Sequence, residues 1–147
     1  VFYIDSINEY GLVAAMDNLE GTYAWGCSNI DVNGADGTTI GTGHQNTLDI
    51  VSGCSETPIA ASEALAYESE GYSDWFLPSK DELYEMYNTI GNGGPEGNIG
   101  GFGNNWYWSS SEFNFYFAWS VDFSNGGTGA GVNDKPNTDR VRVIRAF

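Results

Sequence analysis

The stretch FGNNWYWSSSEFNFYFAWSVDF, residues 102–123, carries most of the information about how this chain folds. It holds ten aromatic side chains, in a protein with five tryptophans, nine tyrosines and eight phenylalanines, and it contains no lysine or arginine. A segment so rich in rings has to supply part of a hydrophobic core. Residues 113–117, FNFYF, are too continuously aromatic for a strand with one buried face, so we expect some of these rings at the surface.

Three helices are predicted on the N-terminal side of this stretch. The clearest begins at the capping box Ser79–Glu82 and carries apolar residues at helical spacing as far as Gly91. Weaker patterns indicate helices at residues 46–52 and 58–68, the second with Thr57 as its N-cap and Pro58 as its first residue.

Short strands are predicted at both ends of the chain. Residues 1–5, 11–16 and 22–27 would open an antiparallel sheet, and residues 139–147 would close the fold. In residues 119–123, apolar and polar side chains alternate, so Ser120 and Asp122 should point outward. We expect Trp108, Trp119 and Phe123 in the core. With 147 residues the chain has the length of one domain, residues 1–147, of the α+β class.

The charge of the chain excludes two classes of partner. Five basic residues stand against twenty acidic ones, which gives a formal net charge of −15. Such a field repels both phosphate backbones and anionic lipid headgroups. No apolar run approaches the length of about 20 residues that a membrane-spanning helix needs. We therefore expect neither nucleic-acid binding nor direct membrane insertion.

The two cysteines, Cys27 and Cys54, are candidates for a disulfide. A bond between them would close the loop from residue 27 to residue 54 and would stabilise the fold by about 3 kcal/mol. The alternative is a pair of buried thiols. The low lysine content and the abundance of Tyr, Asn, Gly and Ser favour an extracellular setting, in which the pair would be oxidised.

No catalytic constellation is evident in the sequence. His44 is the only histidine, and no phosphate-binding loop or nucleophile elbow is present. The carboxylates of Asp81 and Glu82 are interpreted as a solvated helix face. The segment 31–37, DVNGADG, has oxygen ligands suited to calcium, but its register does not match an EF-hand loop. We expect a protein that is not an enzyme and needs no cofactor, with calcium left open.

Several motifs in order along the chain resemble the bacterial DUF1566 family, named also for the C-terminal domain of the Legionella collagen-like adhesin. They are GYSDWFLPSKDEL (71–83), YWSSSE (107–112), AW (118–119) and VRVIRAF (141–147). The resemblance implies a C-type lectin-like fold, with an antiparallel sheet, two flanking helices and long loops that carry the ligand contacts. Members of that family occur in surface adhesins, lipoproteins and phage-associated receptor-binding proteins of bacteria and phages.

The same fold occurs in variable proteins that diversity-generating retroelements mutate, where adenine-directed changes act on Asn-type codons. This resemblance leads to the hypothesis that the C-terminal region is diversified. The positions reachable in this way are Asn105, Phe113, Asn114, Phe115, Tyr116, Phe117, Ser120, Asp122, Gly127, Gly129 and Gly131. The glycine-rich residues 126–131 depart from the family pattern, and this puts the shape of that loop in doubt.

These observations together predict a receptor or adhesin domain at the cell surface or on a phage particle, binding a protein or a glycan. Aromatic residues combined with Asn, Ser and Gly are the mixture that antibody paratopes use. The expected ligand-binding residues are Asn105, Trp106, Phe113, Asn114, Phe115, Tyr116, Phe117, Ser120, Asp122, Asn133 and Asp134.

Two alternatives remain from the sequence. One is a calcium-dependent lectin, in which Trp106 or Tyr116 stacks on a sugar and Asp122, Asn133 or Asp134 binds the ion. The other is the structural cap of a trimeric surface or tail fibre. The sequence leaves open whether the domain is a monomer or a trimer.

Overall fold

Three helices and eight short strands form the part of the chain that the computed structural model describes, residues 1–129 and 133–147. Gly131, one of the positions in the diversification hypothesis, lies outside the described residues. The helices are α1 (Gly43–Gly53), α2 (Ala60–Ala66) and α3 (Lys80–Ile90). The strands are β1 (Tyr3–Ile4), β2 (Gly11–Ala14), β3 (Tyr23–Ala24), β4 (Trp106–Glu112), β5 (Ala118–Asp122), β6 (Thr128–Gly129), β7 (Thr138–Asp139) and β8 (Ile144–Ala146). The predicted α+β class is confirmed.

The strands form three small antiparallel sheets with the orders β1-β2-β8, β3-β7 and β4-β5-β6. The first sheet brings the two ends of the chain together, because Leu12 of β2 pairs with Tyr3 on one side and with Ala146 on the other. The predicted third strand does not extend this sheet, since β3 pairs with β7 instead. The closing strand is also shorter than predicted. The carbonyls of Val141 and Val143 accept the N–H groups of Leu19 and Ala15, which do not form a strand ladder with them.

Strand β4 lies between two hydrophobic clusters. Tyr107 belongs to one cluster with Phe123, and Trp108 belongs to the other with Trp25. Because consecutive side chains of a strand point to opposite faces, β4 is covered on both sides. Residues 109–111, all serine, are accordingly fully buried. The predicted core positions of Trp108 and Phe123 are confirmed.

The helices are short, with 11, 7 and 11 residues. Within residues 1–129 and 133–147 none of them has the length and apolar character needed to cross a membrane. Helix α2 begins later than predicted, with Ile59 rather than Thr57 as its N-cap. The hydroxyl of Ser62 accepts the Ile59 N–H at 2.9 Å and donates to the Ile59 carbonyl, so Ser62 determines where this helix starts.

The capping box at the start of α3 is confirmed. The Ser79 N–H donates to Glu82 Oε2 at 2.7 Å, and the Glu82 N–H donates to Ser79 Oγ at 3.3 Å. Glu82 is fully buried and also accepts the Gly41 N–H at 2.8 Å. Burial raises the pKa of the Glu82 carboxyl, and the N–H donors of Ser79, Gly41 and Gly43 partly oppose that rise. The interpretation of Glu82 as a solvated residue is wrong, because it joins the N-terminal ends of α1 and α3 in the interior.

Cys27 and Cys54 form the disulfide for which they were candidates. Cys54 follows α1 directly and Cys27 lies beyond β3, so the bond ties the end of a helix to the loop that starts at residue 27. Both residues are buried in the larger hydrophobic cluster. The bridge therefore restrains the loop of residues 28–37.

Candidate functional site

The aromatic loop, residues 113–117, joins β4 to β5 and is closed by its own hydrogen bonds. The N–H groups of Phe113 and Asn114 both donate to the Phe117 carbonyl, at 3.0 and 3.1 Å. The side-chain oxygen of Asn114 accepts the N–H groups of Tyr116 and Phe117, each at 2.8 Å. Asn114, a predicted ligand contact, thus uses its oxygen to hold the turn, as asparagine does in Asx-turns.

Two neighbouring segments anchor this loop through the main chain. The Asn29 N–H donates to the Phe115 carbonyl at 2.8 Å, and the Lys135 N–H donates to the Tyr116 carbonyl at 3.0 Å. Asp134 forms a β-bridge with Phe117, so this predicted site residue lies next to the loop. The aromatic loop is therefore held on both sides by backbone bonds that do not depend on its ring side chains.

A buried ion pair lies under these anchors. Lys135 Nζ is 2.7 Å from Glu112 Oε2, donates to the Ile30 carbonyl at 2.8 Å and lies 4.7 Å from the centre of the Trp25 ring. The Lys135 side chain is fully buried. Glu112 also accepts the Val32 N–H. One ion pair thus connects the loop after Cys27, the end of β4 and the segment after residue 133.

The rings of the aromatic loop are divided between surface and partial burial. Phe113 and Phe115 are each 50% exposed, whereas Tyr116 and Phe117 are half-buried and meet edge to face at 5.0 Å. None of the four lies wholly in the interior. The loop therefore presents large apolar side chains to solvent from a backbone that is already ordered.

Trp119 adds a further ring to this surface. It was predicted as a core residue, but it is only half-buried and packs edge to face with Phe113 at 5.5 Å. Lys80, the first residue of α3, places its Nζ 4.8 Å from the centre of the Trp119 ring. The prediction for Trp119 is wrong because this end of β5 lies beside the exposed aromatic loop, whereas Val121 and Phe123, two and four residues further along, are fully buried as predicted.

Ser120 and Asn133, both predicted ligand contacts, lie inside the protein. Ser120 is fully buried and Asn133 is 8% exposed. The Asn133 amide donates to Ser120 Oγ at 2.5 Å and to Asp139 Oδ2 at 2.8 Å. Their assignment to an exposed binding face is therefore wrong, since these polar groups satisfy one another between β5 and β7.

The burial of Asp139 in this contact predicts that the stability of the protein depends on pH. Burial raises the pKa of Asp139 from 3.8 to about 6. Because the pKa of this carboxyl is higher in the folded protein than in the unfolded one, the folded protein loses stability as Asp139 ionises. The free energy of unfolding should therefore fall as pH rises from about 4 to about 6. Asp139→Asn, which keeps an acceptor for Asn133, should remove this fall. We expect the free energy of unfolding of the variant to rise by about 1–2 kcal/mol relative to that of the wild type across this interval. The effect is no larger because the carboxyl is only partly buried.

The measurement is urea unfolding of both proteins at a series of pH values, read as the difference between the two stabilities. Thr138→Asn, at an exposed residue of β7 that carries no titratable group, serves as the control and should give a difference that does not change over the same interval. An Asp139→Asn curve parallel to the wild type would contradict the assignment.

Asn105, Trp106 and Asp122 were predicted to share one face with the aromatic loop. Trp106 pairs with Asp122 at the start of β4, whereas the loop follows the end of that strand. At about 3.3 Å per residue, the seven residues of β4 separate the two groups by about 20 Å. The predicted face is therefore two separate regions. The aromatic loop with Trp119 and Asp134 forms one, and the Asn105 end of the hairpin forms the other.

The predicted calcium ligands do not converge either. Asp122 lies at the end of β5, its Oδ1 accepting the Ser124 N–H and hydroxyl, while Asp134 lies beside Phe117 at the strand's beginning. Within the described residues, the one group of three metal-ligating side chains is Cys27, Cys54 and Glu56, whose cysteines are bonded to each other. That bond removes the thiolates that a metal would need.

A surface pocket of about 340 Å³ opens beside the aromatic loop, and the sequence did not predict it as a site. Phe113 and Asn114 line one side, and residues 31–36 of the loop restrained by the disulfide line the other. Asp31 and Asp36, the residues considered above for calcium, are both exposed at this pocket. Folding thus joins two segments that are about 80 residues apart in the chain, as the Val32–Glu112 hydrogen bond illustrates.

No protein-family model matches this chain, and no curated protein sequence shows significant similarity to it.

Proposed function

We propose that this chain is a ligand-binding domain of the receptor or adhesin type and that it contacts its partner through the aromatic loop. The observation that carries the proposal is the half-exposure of Phe113 and Phe115 on a loop anchored from both sides by main-chain hydrogen bonds. Rings on a backbone that is already ordered lose little conformational entropy on binding. Recognition, rather than catalysis, is the function that such a surface supports best.

An extracellular or particle-displayed location forms part of the same proposal. The disulfide between Cys27 and Cys54 supports it, because such bonds persist in oxidising compartments. The finer fold assignment, a C-type lectin-like domain, is also proposed here. It is supported by the sheet that joins the two chain ends and by the long irregular segment between α3 and β4. Diversification of the C-terminal region by a retroelement stays a hypothesis.

Within binding functions, a protein partner is favoured over a sugar held by calcium. The lectin alternative needs Asp122, Asn133 or Asp134 to supply oxygen ligands to calcium, but Asn133 is buried and the two aspartates lie at opposite ends of β5. The exposed rings of the aromatic loop require no ion. We therefore propose recognition of a protein surface.

The test is a binding screen in which the domain is incubated with arrays of cell-surface proteins and of glycans. For a ligand found with the wild type, Phe113→Ser/Phe115→Ser should weaken binding about 30-fold, the equivalent of about 2 kcal/mol for the loss of anchor rings. Circular dichroism and thermal unfolding should remain those of the parent, because both rings are already half exposed.

The matched control is Ile7→Ser/Ile99→Ser, which replaces two apolar residues of similar exposure, 66% and 61%, outside the aromatic loop. This control should bind like the wild type. A ligand that binds the Phe113/Phe115 variant as tightly as the wild type would contradict the assignment of the binding surface.

A further inference from the structure

We propose that the partner is a protein segment that places an arginine or lysine side chain in the pocket between Asp31, Asp36 and Phe113. This inference deepens the proposed function and rests on it. The pocket of about 340 Å³ falls in the range of about 300–1,000 Å³ that ligand pockets occupy. Its walls combine carboxylates with an aromatic ring, and that combination suits a cation carried on an apolar stem.

The carboxylates of the pocket differ in how their charge is met. Asp31 and Asp36 are exposed, and none of the ion pairs among the described residues includes either of them. Glu112 also lines the pocket, but its charge is met by Lys135 and by the Val32 N–H. The negative charge that remains at the opening thus belongs to the two aspartates.

The protein's own cations lie in other contacts. The chain has five basic residues, and all of them are engaged elsewhere. Lys135 is buried against Glu112, Lys80 pairs with Asp81, and Arg145 pairs with Asp74. The guanidinium groups of Arg140 and Arg142 donate to main-chain carbonyls, those of Gly21, Ala15 and Gly100. A cation for this pocket has to come from another molecule.

The Phe113 ring adds an attraction for a cation. Phe113 is half exposed and forms part of the pocket wall. A guanidinium or ammonium group within about 6 Å of an aromatic centre is attracted by the ring face, and arginine stacks on such faces especially well. Lys80 over Trp119 and Arg145 over Tyr72 show that this protein already uses the same contact internally. The ring points to a ligand independently of the carboxylates.

The charge of the whole domain acts in the same direction. A net charge of −15 attracts basic surfaces over a distance set by ionic strength and repels acidic ones. A general attraction of this kind would act at every acidic site on the surface. The experiment therefore has to separate the pocket from the overall charge.

A second acidic pocket provides the control for charge. It has a volume of about 280 Å³ and is lined by Glu20, Glu63 and Glu68, while its rings, Tyr23 and Tyr67, are half-buried against the core. Glu20→Gln/Glu68→Gln changes the net charge by the same amount as Asp31→Asn/Asp36→Asn. Only Asp31→Asn/Asp36→Asn alters the pocket beside Phe113.

The experiment selects peptides from a random phage-displayed library on the wild-type domain and measures each selected peptide against the four variants. Peptides enriched in arginine or lysine are expected. Their binding should weaken about tenfold on Asp31→Asn/Asp36→Asn and on Phe113→Ser/Phe115→Ser, but less than about twofold on the glutamate pair and on Ile7→Ser/Ile99→Ser.

Two outcomes would overturn the inference, and they are distinguishable. Peptides that need Phe113 and Phe115 but carry no basic residues would refute the cationic partner while leaving the binding surface in place. Basic peptides that bind every variant equally would refute both the pocket and the proposed surface, since only the overall charge would then be recognised.

An NMR titration tests the pocket directly. N-acetylarginine amide should shift the amide signals of residues 31–36 and 112–114, and N-acetylcitrulline amide, which has nearly the same shape without the charge, should not. In Asp31→Asn/Asp36→Asn the shifts should disappear. Shifts that are equal for the two compounds, or that centre on Glu20 and Glu68, would overturn the assignment.

Discussion

Replacing Lys135 with methionine is expected to lower the free energy of unfolding by about 3–5 kcal/mol, although the two side chains are similar in length. The substitution leaves the Glu112 carboxylate buried without its cation and also removes the donor to the Ile30 carbonyl. Removing one partner of a buried ion pair costs far more than the pair contributes, because the remaining charge loses its compensation. The loss should appear as a lower midpoint in urea unfolding with an unchanged m-value.

Lys80→Met is the matched control for this prediction. Lys80 also lies near an aromatic ring and a carboxylate, but its pair with Asp81 is solvent-exposed. Exposed pairs contribute about 0–1 kcal/mol, so this variant should unfold almost like the wild type. The double variant Lys135→Met/Glu112→Gln should recover part of the stability that Lys135→Met loses. Equal effects at Lys135 and Lys80 would show that the buried pair does not stabilise the fold.

The second large effect is expected at Gly43, the first residue of α1. A side-chain Cβ at this position would collide with the Glu82 carboxylate and would lie 2.8 Å from the Ser79 nitrogen and 3.0 Å from the Leu77 carbonyl oxygen. The backbone of residues 77–79 cannot move away without disturbing the capping box of α3. Gly43→Ala should therefore destabilise the domain by about 2–3 kcal/mol, at the upper end of the cost of overpacking.

Gly53→Ala is the control, since it makes the same change at the other end of the same helix. The nearest atom to its Cβ is Val32 Cγ1 at 3.2 Å, and residue 53 is exposed, so a small adjustment is sufficient. Alanine has the higher helix propensity, and this variant should be neutral or slightly more stable. Thermal unfolding of the two variants side by side measures the difference. A Gly43→Ala protein as stable as Gly53→Ala would disprove the close contact with Glu82.

Local signals predicted the helices well because they depend on a few neighbouring residues. The capping box of Ser79 and Glu82 is such a signal, and α3 begins and ends where it indicates. The burial of Glu82 was not predictable in the same way, because its partner Gly41 lies 41 residues earlier in the chain. The start of α2 was missed for a local reason, since the hydroxyl of Ser62, inside the helix, determines it.

The candidate site was predicted only in part. The run of rings at residues 113–117 indicated surface exposure, and Phe113 and Phe115 are indeed exposed. Sequence alone could not show that Ser120 is covered by Asn133, because this contact needs the return of the chain after residue 129. It also could not place Asp31 beside Phe113, since their proximity follows from the disulfide and the Glu112 carboxylate acting together.

The anchoring of residues 115 and 116 through their carbonyls has a consequence for how this protein can evolve. Every amino acid supplies the same carbonyl, so exchanging the side chains at these two positions leaves the bonds from Asn29 and Lys135 in place. A new ring or hydroxyl there would alter the surface of the aromatic loop while the framework keeps its shape. The identity of the exposed side chains and the hydrogen bonds that hold the loop thereby depend on different atoms of the same residues.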